Sequence, residues 1–200
     1  MKPEDYGYVV KNNLCLFQKG PLSNWWGGFK GQNGGFTVRL IDLYFLYEPS
    51  LNGKIFGDFG KESHTYPVEF NCCEQWMMAC KAILFNDNET FRKIMGETSP
   101  SKQKDLGRQV KNYNNDVWDR YKYDVVYRGL DYKFEQNYEL QVFLCSFHPF
   151  TIFAEAASYD KIWGTGLDIT DDRCLDINNW IGQNLLGRVI TDVRRYYIDL

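Results

Sequence analysis

The chain has 200 residues, a formal net charge of -3 and 17% aromatic side chains (14 Tyr, 14 Phe, 6 Trp), a length that fits one domain, residues 1–200, with a core large enough to need no staples. The net charge and a pI near 5.5 argue against bulk electrostatic capture of nucleic acid and leave room only for a local basic patch. No apolar run has the length of a membrane span and the opening MKPEDYGYVV lacks a signal-peptide apolar region, so the expectation is a cytoplasmic protein with no membrane partner.

In chain order, residues 14–18 read as a short strand ended by the turn signal Lys19-Gly20-Pro21. Ser23 and Asn24 follow, beside Trp25 and Trp26, which are read as exposed. They either make local turn hydrogen bonds or bind a ligand's hydroxyls. Residues 27–35 are glycine-rich but hold neither a Walker A nor a G-x-G-x-x-G pattern, and read as a loop or hairpin tip. Residues 36–47 read as a strand, and 51–66 as a polar loop expected to be variable or disordered.

Residues 70–85, FNCCEQWMMACKAILF, read as a helix apolar on both faces and therefore buried. Its two charges, Glu74 and Lys81, lie two turns apart, too far for a direct i,i+4 pair. Two readings stand open. The charges answer the helix dipole at its two ends, or they are charges held in an apolar setting at a site, with shifted pKa values.

Beyond it, Asn86-Asp87-Asn88 caps a short helix over 89–95, and Ser99-Pro100 opens another that ends at 106 or 107. Asn114-Asn115-Asp116 caps a long helix to 135 with two apolar stripes, Tyr123, Tyr127, Leu130, Phe134 and Trp118, Tyr121, Val125, Gly129, Tyr132. A helical piece over 139–144, a strand over 151–154 and a last helix over 184–197 complete the chain. The fold class is mainly α, or α+β with a small β element. The six cysteines show no C-x-x-C spacing and neither histidine, His64 or His148, lies near them, so no metal site, no cofactor and no nucleophilic triad is indicated; reduced thiols in a reducing compartment are expected.

A set of short motifs runs collinearly along most of the chain. Gly20-Pro21-Leu22-Ser23-Asn24 is followed by Glu74 with Lys81-Ala82, Leu106-Gly107-Arg108, Trp118 and Lys133-Phe134-x-Gln136-Asn137. Then come Glu155-Ala156, Asp160-x-x-Trp163-Gly164-x-Gly166-Leu167, Trp180-x-Gly182-x-Asn184-x-Leu186-Gly187 and Arg194. This ordered set resembles the NADAR family, also called YbiA-like, from about residue 15 to 196. Two features depart from it: a long insertion or loop at about 27–63, and Gln75 where many members carry His.

The resemblance implies a single-domain YbiA-like fold acting on ribosyl N-glycosides. Members are similar to N-glycosidases of early riboflavin-pathway intermediates, or to hydrolases that remove ADP-ribose from guanine in nucleic acid. Nucleic acid would then be a partner only as a modified substrate. A non-catalytic NAD or ADP-ribose binder is the alternative class. Cleaving the bond passes through an oxocarbenium-like state that needs a carboxylate. Glu74 is the first candidate, Asp160 the second and Glu155 the third, with Lys81 either orienting Glu74, binding phosphate or attacking the ribose carbon. The substrate-binding candidates are Ser23, Asn24, Trp118, Glu155, Trp163, Gly164 and Asn184, with Arg108 and Lys133 as phosphate candidates. Asn184 is also read as the N-cap of the last helix, whose free N–H groups would suit a phosphate. Glu74, Lys81, Trp118, Asp160, Trp163 and Asn184 are expected to line one pocket.

Overall fold

The computed structural model describes residues 1–28, 30–46 and 67–198. The polar loop expected over 51–66, His64 and much of the 27–63 insertion lie outside the described residues. The strands in chain order are β1 (Val9–Lys11), β2 (Leu14–Phe17), β3 (Phe36–Arg39), β4 (Pro67–Phe70) and β5 (Ile152–Glu155). The helices are α1 (Cys73–Leu84), α2 (Asn88–Gly96), α3 (Pro100–Gly107), α4 (Asn115–Glu135), α5 (Tyr138–Cys145) and α6 (Leu185–Ile198). Helix dominates among the described residues, as the sequence implied. No helix among them is long and apolar enough to cross a membrane. The chain forms two compact units, residues 1–26 with 137–200, and residues 27–136.

The first unit is built on a sheet of order β1-β2-β5. β1 and β2 run antiparallel, Val9 opposite Leu16 and Lys11 opposite Leu14, and are joined by Asn12 and Asn13 with φ of 49° and 62°. Two successive left-handed residues give the turn whose twist matches its strands, and asparagine tolerates that conformation. β2 lies parallel to β5, Leu14 against Ile152 and Phe17 against Glu155, and all its residues are buried. A strand covered on both faces reads as an unbroken apolar run. That made LCLF legible, whereas exposed β1 carries no such pattern and was not anticipated. α6 packs along β5, and α5 against α6.

In the second unit every residue of α1 except Lys81 is buried, and the helix contacts α2, α3, α4 and β4. It begins later than the apolar run suggested. Phe70 ends β4, paired with Phe36 of β3, and the two rings stack at 5.7 Å. At the crossing with α4 the Trp76 indole lies against Gly129 and donates to the Val125 carbonyl at 2.7 Å. The Cys73 thiol reaches the Gly129 carbonyl at 3.3 Å. The strand expected over 36–47 is shorter. Alternating burial stops at Arg39, whose guanidinium turns back to Asp42 at 3.0 Å as the chain enters the 3-10 helix Leu40–Leu46.

The predicted caps of α2 and α4 are present: Asp87 accepts from Thr90 N at 3.1 Å and Asn114 from Val117 N at 3.0 Å. Ser99 makes no such bond before Pro100. The Glu97 carboxylate instead accepts from both Thr98 N and Ser99 N at 2.9 Å.

Candidate active site

Glu74 stands in the first turn of α1 and Lys81 in the last, the arrangement that the helix dipole favours. Magnitudes separate the two readings of this pair. Dipole complementation gives roughly 0.3–1 kcal/mol at a surface and up to about 2 kcal/mol when partly buried. Taking a carboxylate out of water costs several kcal/mol, and Glu74 is only 2% exposed. The dipole alone therefore does not account for a carboxylate at this depth, which makes Glu74 a candidate for chemistry.

Lys81 is half-buried, and its Nζ lies 5.0 Å from the ring centroid of Trp118 and 5.3 Å from that of Tyr113. Both rings attract a cation. Burial lowers the Lys81 pKa, the Glu74 carboxylate opposes that shift, and Arg108 and Lys104 push it down further, so the net direction is down. The unit thus brings Glu74, Lys81 and Trp118 into one electrostatic neighbourhood. Tyr113 and Lys104 join them without having been anticipated, because neither carries a periodic or motif signal of its own.

The two phosphate candidates of this unit fare differently. Arg108 is exposed and pairs with Asp105 at 3.2 Å at the end of α3. Lys133 is 0% exposed, inside the packing of α4, and its pKa is lowered by that burial while Cys73 and Cys72 oppose the shift. A lysine closed off in this way cannot meet a phosphate without opening the helix packing, which corrects the reading of Lys133 as a ligand contact.

In the other unit, Asp160, Glu155, Trp163, Gly164 and Asn184 are drawn together where β5, the loop after it and α6 meet. The Asp160 carboxylate accepts from Ile162 N at 3.0 Å and Trp163 N at 2.8 Å, fixing the loop. Gly164 is held against the Glu155 carbonyl, which a Cβ would approach to 2.8 Å, so close backbone packing explains this glycine. Asn184, at φ 49°, stands at the N-cap position of α6, its carbonyl accepting from Arg188 N at 3.1 Å, but its side chain is turned to β5: Oδ1 accepts from Glu155 N at 3.1 Å and Nδ2 donates to the Phe153 carbonyl at 2.8 Å. The amides of Gln183, Asn184, Leu185 and Leu186 donate to the carbonyls of Lys161, Gly164, Ile162 and Trp163 at 2.9–3.1 Å. Donors occupied in this way are not open to a phosphate, so the phosphate role read for Asn184 is corrected to a bracket between α6 and β5. Ser23 and Asn24 are buried in the turn after β2, and Trp25 and Trp26 are half-buried rather than exposed.

These placements can be set beside known proteins. The NADAR domain family matches residues 17–196. The chain belongs to this family. It is 44% identical over 170 residues to N-glycosidase R617 of Acanthamoeba polyphaga mimivirus, covering 84% of the chain and 91% of that relative. It is 40% identical over 129 residues to Protein irg-1 of Caenorhabditis elegans, covering 64% of the chain and 60% of that relative. The solved NMR structure of the E. coli protein YbiA matches with a TM-score of 0.62 at 19% identity, over 100% of this chain and 94% of that one, so the fold is YbiA-like.

One departure of this NADAR chain from the resemblance has a structural answer. Gln75 accepts from Asn71 N at 2.8 Å and donates to the Ile94 carbonyl at 3.1 Å and the Glu97 carbonyl at 3.2 Å. Its amide ties the start of α1 to the α2–α3 junction. Position 75 is therefore a structural clamp in this chain.

Proposed function

We propose that this NADAR chain is a hydrolase that cleaves the N-glycosidic bond between a base and a ribose carrying a phosphoryl or ADP-type substituent. The observation that carries the reading is the buried Glu74 carboxylate two turns from an ammonium framed by Tyr113 and Trp118. The similarity to a relative named as an N-glycosidase, along nearly its whole length, supports it. Bond cleavage builds positive charge on the anomeric carbon and ring oxygen, and a carboxylate in a dry setting stabilises that charge more than one in water. The departing base takes up a proton and water supplies the hydroxyl of the freed sugar. Asp160 and Glu155 are the remaining carboxylate candidates, and Ser23, Asn24 and Trp163 the remaining substrate contacts.

Lys81 supports a second version of the chemistry. Attack by its neutral amine on the anomeric carbon would form a C–N bond to Lys81 as the bond to the base breaks, the base leaving with the electron pair; loss of a proton gives a glycosylamine, whose ring C–O bond then opens, the ring oxygen taking up a proton, to an iminium that water hydrolyses to free sugar and amine. The Glu74 carboxylate favours the charged form of Lys81, and burial with two neighbouring cations outweighs it in direction.

Early riboflavin-pathway intermediates and ADP-ribosylated guanine are the two substrate types that fit the reading, and the net charge of -3 favours a free metabolite over a strand. Six free thiols suit a reducing compartment, so we place the reaction in the cytoplasm. The test is Glu74→Gln, which keeps shape and removes charge. We expect kcat on a pyrimidine ribosylamine phosphate or on ADP-ribosylguanosine to fall about a hundredfold or more with KM nearly unchanged. A Glu74→Gln protein as fast as the parent refutes the assignment, and a parent that binds these compounds without releasing sugar is a binder.

A further inference from the structure

The turn after β2 is pinned at almost every point. Ser23 N donates to the Gly20 carbonyl at 2.9 Å, Trp26 N to the Ser23 carbonyl at 3.2 Å and Trp25 N to the Ser23 hydroxyl at 3.2 Å. Leu22 N donates to the Tyr8 hydroxyl at 3.0 Å. Gly20, at φ 85°, leaves no room for a Cβ, which would sit 2.8 Å from the Tyr8 hydroxyl and 2.9 Å from Tyr6 Cβ. The Tyr6 ring in turn meets the Trp26 indole edge-on at 5.4 Å.

Two side-chain atoms break this pattern. Asn24, 6% exposed, has a buried Oδ1 and Trp26 a buried Nε1, and neither atom has a hydrogen-bond partner among the described residues. A buried polar group without a partner is costly, and native proteins keep few of them. One acceptor and one donor, two positions apart in a turn held by the bonds above, each leave a hydrogen bond that a ligand could supply.

We propose that Asn24 Oδ1 and the Trp26 indole N–H recognise the vicinal hydroxyls of the ribose, the amide oxygen accepting from one hydroxyl and the indole donating to the other. A hydroxyl both donates and accepts and rotates to suit its partner, so one diol satisfies both atoms whatever base the sugar carries. This assigns Trp26 a substrate contact and makes the 2-hydroxyl a specificity determinant. It rests on the reading of the chain as acting on ribosyl N-glycosides.

The test uses the full chain with Asn24→Leu and Trp26→Phe, the second keeping an aromatic ring while removing the donor. Without ligand, Asn24→Leu is expected to melt at or above the parent temperature, since an unpartnered amide is replaced by an apolar side chain of similar size. D-ribose 5-phosphate is expected to raise the melting temperature of the parent more than its 2-deoxy counterpart does, and to raise it little in either variant. In turnover, KM is expected to rise about tenfold for the loss of one such hydrogen bond, with kcat changed far less.

The proposal is overturned if Asn24→Leu melts well below the parent, if either variant keeps the full ribose 5-phosphate response, or if the parent responds equally to both sugars or to neither. A parent stabilised by a free base and not by the sugar likewise overturns it. Failure of the enzyme reading looks different: the ribose preference and its loss in the variants would persist while no substrate is cleaved or Glu74→Gln turns over like the parent.

Discussion

Lys81 is the residue whose state most constrains the chemistry. Burial and two cations lower its pKa against the pull of Glu74, so at a given pH more of it is neutral amine than in an exposed lysine. If that amine attacks the sugar, sodium borohydride added during turnover is expected to fix the sugar to the α1 peptide as a stable mass increment, absent in Lys81→Met. An unlabelled parent that still turns over leaves Lys81 the orienting role. Lys133 allows a prediction on stability instead. Its folded pKa lies below the unfolded value, so between the two values the unfolded chain binds the extra proton and stability rises with pH. The cost of the buried ammonium is fully present below the folded pKa and relieved as pH climbs towards the unfolded value. Lys133→Met is expected to remove this rise of urea stability with pH in the alkaline range. A loss of stability at neutral pH would show that the ammonium holds its surroundings together. The burial of Glu74 was legible in sequence because it lies on a helix apolar on both faces. That of Lys133 was not, since its stripe of tyrosines gave no sign that the lysine between them is closed off.

At the scale of elements, the crossing of α1 and α4 is set by one missing side chain. A Cβ on Gly129 would run into the Trp76 ring and come within 2.9 Å of its Nε1, while Trp76 is 0% exposed and its indole is tied to Val125. Gly129→Ala gains roughly 1 kcal/mol of helix propensity, but forcing a fixed ring aside costs about 1–3 kcal/mol. We expect a net loss measurable as a lower urea midpoint. Gly107→Ala is the control, because the group it meets is the Met78 thioether, which can swing away. Its midpoint is expected to move less than that of Gly129→Ala, and equal losses would mean that the ring is no harder than the thioether. These boundaries also show why the elements were read unevenly. α4 was legible because an asparagine cap and two apolar stripes agree. β4 was hidden because Phe70 continues the apolar run of α1, and only its pairing with Phe36 assigns it to a strand. The start of α6 was legible from Asn184, but the partners of that side chain were not, since they lie on β5, a strand far away in the chain.

At the scale of the whole molecule, charge is the property that discriminates between substrate types. A protein that neutralises 6–10 phosphates of a nucleic acid loses about 10³–10⁵ in affinity between roughly 50 and 200 mM salt, because each contact releases condensed counterions. A free N-glycoside with one or two phosphates carries no such atmosphere. With 23 Lys and Arg against 26 Asp and Glu, this chain has no net positive field to gather a strand. Beside Lys81 only Lys104 and Arg108 add positive charge to its surroundings, and Arg108 is paired with Asp105. We therefore expect KM for a free phosphorylated N-glycoside to rise less than about tenfold across that salt range, and the ratio of kcat/KM for a modified oligonucleotide to that for the free nucleotide to stay near unity at every salt concentration. A steep salt dependence confined to the oligonucleotide, with a kcat/KM advantage that grows as salt falls, would instead place a nucleic-acid strand in the natural substrate and would mean that a local basic patch outweighs the net charge.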